Sequence, residues 1–138
     1  MTHISKQKLE KDDYVQLFEQ LAKRLGALNQ KNAPDFLTAF LTETEQIMLI
    51  KRYAAILLLH NKYSAYRISE ILHMSPSTTD RMQLTYEAGH YAAITTQLDA
   101  KKRQQKQFWE LLETISRGGM PPMDHRRWRS LSGGKSYD

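Results

Sequence analysis

The residues best suited to chemistry stand together at 75–81, in the run Ser-Pro-Ser-Thr-Thr-Asp-Arg. A hydroxyl acts as a nucleophile only beside a general base and an oxyanion stabiliser. This run has no paired histidine base and no glycine elbow around a serine. The chain also lacks a glycine-rich phosphate loop, and the histidines at 3, 60, 73, 90 and 125 share no metal-ligand spacing. Cysteine is absent, which removes disulfides, thiolate metal sites and a cysteine nucleophile. An enzyme is therefore not expected, and neither is a metal or cofactor. Short hydroxyls followed by an arginine are better suited to recognition. Ser75, Ser77 and Thr78 can hydrogen-bond phosphates or base edges, Asp80 can accept from a cytosine amino group, and Arg81 can reach a phosphate or a guanine edge.

Such residues need a helix to aim them. Ser75 is suited to cap one, with Pro76 at the favoured first position, and the helix is expected over 76–88 before Gly89. A preceding helix, 64–72, is capped by Ser64 and offers Ile68, Ile71 and Leu72 as the face that holds the second helix. His73-Met74-Ser75 forms the turn, with Met74 as its apolar plug. This is the layout of a helix-turn-helix, whose second helix enters a major groove with its N-terminal end. Two positions depart from the commonest form. His73 stands at the left-handed turn position, at a cost of about 1 kcal/mol. Thr79 stands at a buried position, where its hydroxyl can bond back to a carbonyl one turn earlier. Ser64, Arg67 and Lys62 are placed to add contacts to a nucleic-acid backbone.

The wider string "FLTAFLTETEQIMLIKRYAAILLLHNKYSAYRISEILHMSPSTTDRM" resembles the Trp repressor superfamily, especially its small YerC/YecD-type members. Thr42, Glu45, Leu49, Arg52, Leu59, Ser64, Ile68, Leu72, Thr78 and Arg81 keep the family spacing, and "LTYEAGHY" is similar to a segment that follows in the YerC-type members. The likeness covers roughly residues 14–95. It implies an all-α, intertwined helical homodimer that binds a double-stranded DNA operator through paired helix-turn-helix units. It also implies a small-effector pocket at Thr42, Arg52, Thr78 and Arg81, where the Trp repressor holds L-tryptophan. The family glycine after the last arginine is Met82 here, a side chain that would project into the indole slot and argues against tryptophan itself. Surface ion pairing is the alternative role for the two arginines.

The rest of the chain reads as helix. Tyr14, Leu17, Phe18, Leu21 and Leu25 recur at helical spacing behind Asp12 and Asp13. "NQKNAP" breaks that helix, Pro34 opens a short one, and Thr42 with Glu45 forms a capping box for a long helix to His60. That helix is apolar nearly all round, which implies burial on most sides and, in so small a chain, burial in a dimer. Residues 1–10 are expected to be flexible, 11–96 to form the helix-turn-helix domain, 97–117 a C-terminal helix and 118–138 a flexible basic tail.

Residues 1–100 carry eleven basic and eleven acidic side chains, whereas 101–138 carry nine against four, so the whole excess of +5 lies there. Lys101, Lys102, Arg103 and Lys106, with the "HRRWR" run His125–Arg129, could contact nucleic acid or remain solvated. The polar N-terminus argues against a signal peptide, and no apolar run reaches the ~20 residues of a membrane span, so a cytoplasmic location is expected. These readings favour a DNA-binding transcriptional repressor. The alternatives are a dimeric helical adaptor for a protein partner, or RNA binding through the basic extension.

Overall fold

A computed structural model describes residues 6–100 and 106–116. These residues form seven helices and no strand: α1 (Lys11–Gly26), α2 (Ala33–Phe40), α3 (Glu43–His60), α4 (Ala65–Leu72), α5 (Pro76–Glu87), α6 (Ala92–Ala100) and α7 (Lys106–Ser116). The all-α expectation holds. Residues 6–10 carry no helix or strand. The expected tail at 118–138, including His125–Arg129, and the basic residues Lys101, Lys102 and Arg103 lie outside the described residues. Two compact units part within α3, between Ile47 and Met48.

The first unit follows its capping signals closely. Asp12 and Asp13 occupy the first turn of α1 and Lys23 and Arg24 its last, each complementing the helix dipole. "NQKNAP" makes a reciprocal turn. The Asn29 side chain accepts from the N–H groups of Lys31 (2.9 Å) and Asn32 (3.0 Å), while the Asn29 N–H donates to Asn32 Oδ1 (2.7 Å). The capping box forms as expected. Glu45 N–H donates to Thr42 Oγ1 (3.2 Å), while the Thr42 N–H (2.8 Å) and hydroxyl (3.0 Å) donate to Glu45 Oε2. These two donors, the backbone one first, hold the Glu45 carboxyl below the usual glutamate pKa. The stripe on α1 is laid out as the spacing predicts, yet no residue of α1 or α2 is buried. Tyr14, Leu17, Phe18, Leu37 and Phe40 are exposed.

The second unit is organised by α3. Ala54 to Leu59 are six consecutive buried residues, and at 100° per residue they cover every side of the helix. The core around this run draws on Ile68, Ile71 and Leu72 of α4, Met82 of α5 and Leu112 of α7, with Phe108 and Trp109 packed against it. Tyr53 meets Phe108 edge to face at 5.5 Å between ring centres. The inference that this helix needs a second chain is therefore corrected for its C-terminal half, which the chain's own later helices enclose. Met48, Leu49 and Ile50 remain exposed, Ile50 to 67%.

Three helices stop by one device. At the end of α3, Lys62 N–H donates to the Leu59 carbonyl (3.0 Å) and Tyr63 N–H to that of Leu58 (3.0 Å), with Lys62 at φ 67°. At the end of α4, Met74 N–H reaches the Ser69 carbonyl (3.1 Å) across His73 at φ 52°. At the end of α5, Gly89 (φ 80°) donates to Tyr86 (2.9 Å) and His90 to Thr85 (3.2 Å). These are Schellman-type stops built around a left-handed residue. Only the last uses glycine, so Lys62 and His73 hold a conformation that costs a side-chain-bearing residue about 1 kcal/mol.

Replacing His73 with glycine should raise unfolding free energy by up to about 1 kcal/mol, read by chemical denaturation. A loss of stability would show that the imidazole has a role the backbone does not reveal. Because the Glu45 pKa is lowered in the folded chain, its stabilising contribution is full above the unfolded value and is lost as pH falls through the folded one. An NMR titration should place its midpoint below that of an unstructured peptide. Thr42→Ala, which removes the hydroxyl and keeps the backbone donor, should return the midpoint only part of the way.

Candidate nucleic-acid interface

The α4–α5 hairpin is assembled from local capping plus a thin apolar seam. Ser64 caps α4, accepting from the Arg67 N–H at 3.2 Å. Ala65, Ile68, Ser69, Ile71 and Leu72 form its buried face, and the Ser69 hydroxyl is satisfied by the Tyr66 carbonyl at 2.6 Å. Met74 is half-buried against the core, as a turn plug should be. Ser75 caps α5, accepting from Thr78 N–H at 3.2 Å, and its Oγ also lies 3.0 Å from both Ser77 Oγ and Thr78 Oγ1. Thr79 is 1% exposed and donates its hydroxyl to the Pro76 carbonyl at 3.0 Å. The buried polar position is thus satisfied by the back-bond that the sequence implies.

The buried residues of α5 are Thr79 and Met82, with Tyr86 half-buried between them in angle. The opposite side carries Ser77, Asp80, Arg81 and Leu84, all exposed, with Thr78 exposed on one flank. Every reading residue expected from the sequence, Ser64, Arg67, Ser75, Ser77, Thr78, Asp80 and Arg81, is therefore accessible to a partner. Arg67 lies 3.6 Å from Glu70, an exposed pair of little energetic weight. Among the described residues Arg52 and Arg81 have no ion-pair partner.

Behind this face lies a cleft of about 370 Å³ between α3, the turn and α5. Met48, Met74, Met82 and Tyr91 supply its apolar wall. Lys51, Arg52 and Arg81 supply positive charge, and the hydroxyls of Thr78 and Thr85 complete the polar side. Among the described residues no carboxylate lines it. Arg52, Thr78 and Arg81, three of the four expected effector residues, come together here. Thr42 belongs to the first unit, where its hydroxyl is committed to Glu45. Met82 does line the cleft, and is also largely buried in the core.

Compared with family models, curated proteins and solved structures, the chain matches none. The site is accordingly read from its own residues.

Two features carry no local signal in the sequence. Lys51 Nζ donates to the His73 carbonyl at 3.0 Å, pinning the hairpin turn to α3 across 22 residues. His60, at the end of α3, places Nδ1 3.2 Å from the Tyr86 hydroxyl and Nε2 2.8 Å from Asp99 Oδ1. It therefore ties α3 to α5 and α6. Lys62 Nζ sits 5.9 Å from the Tyr86 ring centre, within reach of a cation–π contact. Among the described residues no group of three or more His, Cys, Asp or Glu could hold a metal.

Deleting the α5 cap by Ser75→Ala should cost about 1 kcal/mol of stability, while Ser75→Asp, which keeps an accepting oxygen, should retain most of it. Thermal unfolding of both variants beside the parent distinguishes a cap from a mere surface serine, since equal losses in the two would remove the capping role.

Proposed function

We propose that the protein is a homodimeric, sequence-specific DNA-binding regulator of transcription, a repressor of the Trp-repressor-like class acting in the cytoplasm. The observation that carries this reading is the outward face of α5. A helix whose start is capped by Ser75 presents Ser77, Thr78, Asp80 and unpaired Arg81 to solvent, on a hairpin held rigid from behind. That arrangement suits insertion into a major groove, with Ser77, Thr78 and Arg81 as the main contacts and Ser64 and Arg67 on the backbone.

Dimerisation is supported by the apolar residues that one chain leaves uncovered: Tyr14, Leu17 and Phe18 on α1, and Met48, Leu49 and Ile50 on α3. Exposed apolar area on this scale marks an interaction surface. In the dimer, two copies of α5 enter successive major grooves about 34 Å apart on a near-palindromic site. The cleft behind the hairpin takes a small effector bearing a negative charge and an apolar body, which matches its three cations and its methionine wall. Met82 narrows it in a way that argues against tryptophan.

The same exposed apolar residues favour a second reading, a helical adaptor that docks a protein partner. Salt separates the two, because phosphate contacts release counterions and weaken steeply with salt, whereas apolar docking does not.

Sequences selected by the purified protein from random duplex DNA should share a palindromic core. Arg81→Ala should weaken binding to them by about fivefold or more, as loss of one base-edge or phosphate contact implies. Fluorescence anisotropy across a salt series checks both points. Unchanged affinity in Arg81→Ala would overturn the assignment of α5 as the reading helix.

A further inference from the structure

The exposed side of α5 is not uniformly polar. At 100° per residue, Thr79, Met82 and Tyr86 define the inward direction, and Leu84 points almost opposite to it, on the line of Ser77 and Arg81. It is 66% exposed. It stands seven residues, about two turns or ~10 Å, beyond Ser77 along the same side of the helix. The polar groups around it are occupied locally. Gln83 Nε2 donates to Glu87 Oε1 at 3.1 Å, and the Thr85 hydroxyl donates to the Arg81 carbonyl at 2.9 Å. The outward line of the helix thus changes chemistry along its length, from hydroxyl, carboxylate and guanidinium in its first half to a branched hydrocarbon in its second.

The edges of base pairs offer one apolar counterpart to such a group. In the major groove every base presents hydrogen-bond donors or acceptors, and thymine alone adds a methyl group. We infer that Leu84 is a specificity-determining residue that reads a thymine methyl in each half-site, two helical turns from the contact made by Ser77. This rests on the reading of α5 as the DNA-entering helix and names the base class that its second half selects. Ser77, Asp80 and Arg81 fix donors and acceptors, and Leu84 excludes water from one thymine.

The methyl can be deleted atom by atom. In the duplex recovered by selection, each thymine is replaced in turn by deoxyuridine, which keeps all hydrogen-bonding groups and lacks only the methyl. Full-length parent protein and Leu84→Ala are titrated against the series by fluorescence anisotropy, with circular dichroism to verify that the variant keeps its helices. One thymine per half-site should be sensitive, with about fourfold weaker binding on loss of a single buried methyl. Leu84→Ala should bind the parent duplex more weakly and show less than about a 1.5-fold difference between thymine and deoxyuridine at that position. A sensitive thymine whose penalty persists in Leu84→Ala overturns the assignment, as does a recovered site with no sensitive thymine. Both outcomes leave DNA reading by α5 intact. Failure to recover any preferred sequence overturns that reading, and this inference with it. If Leu84→Ala instead changes the oligomeric state in sedimentation with no deoxyuridine effect, Leu84 is a protein-contact residue and the inference falls.

Discussion

Everything in the second unit depends on the closed circumference of Ala54–Leu59. Six consecutive buried positions leave the helix no solvent side, so the chain must supply cover in all directions. It does so with segments that follow in sequence: the hairpin itself, through Ile68, Ile71, Leu72 and Met82, and beyond it Ile94 of α6 and Leu112 of α7. A truncation in that set, such as Leu to Ala, typically costs 2–5 kcal/mol. The position of α4 and α5 is thus a consequence of burying α3.

Upon that base the hairpin is fastened by polar groups at points where packing alone would leave freedom. Lys51 holds the turn carbonyl of His73. His60 joins the far end of α5 to α6 through Tyr86 and Asp99. Both anchors start from α3, one near its middle and one at its last residue. The two ends of the hairpin's second helix are referred to the same rigid element, which keeps the exposed side of α5 in fixed register with the cleft behind it. Arg81 stands on the border between them, exposed to solvent and lining the cleft.

What was legible in the sequence was local. Ser64, Ser75, the Thr42–Glu45 box, left-handed His73 and the back-bonded Thr79 all depend on residues three or four apart, and all formed as their chemistry dictates. Long-range partners were not legible. Lys51 and His73 are 22 residues apart, and His60 and Asp99 are 39 apart, with no periodicity to join them. The same limit applies to the cover of α3, whose buried run Ala54–Leu59 the sequence does announce. An all-round apolar pattern states that cover is needed without stating which segment supplies it, and α7, read as a separate element, contributes Leu112. Of the four effector positions, the three on α3 and α5 converged, while Thr42 was already spoken for by the cap it makes.

The repeated helix stops carry a consequence for how the hairpin can change. In each, the reversal is closed by main-chain donors and acceptors, and side chains hold only the seam. The outward residues of α5 take part in neither. They can be exchanged like type in a fixed printing frame, altering the chemistry of the surface while the main-chain stops and the apolar seam stay the same. A lineage built on this chain can therefore drift in surface chemistry faster than it drifts in shape.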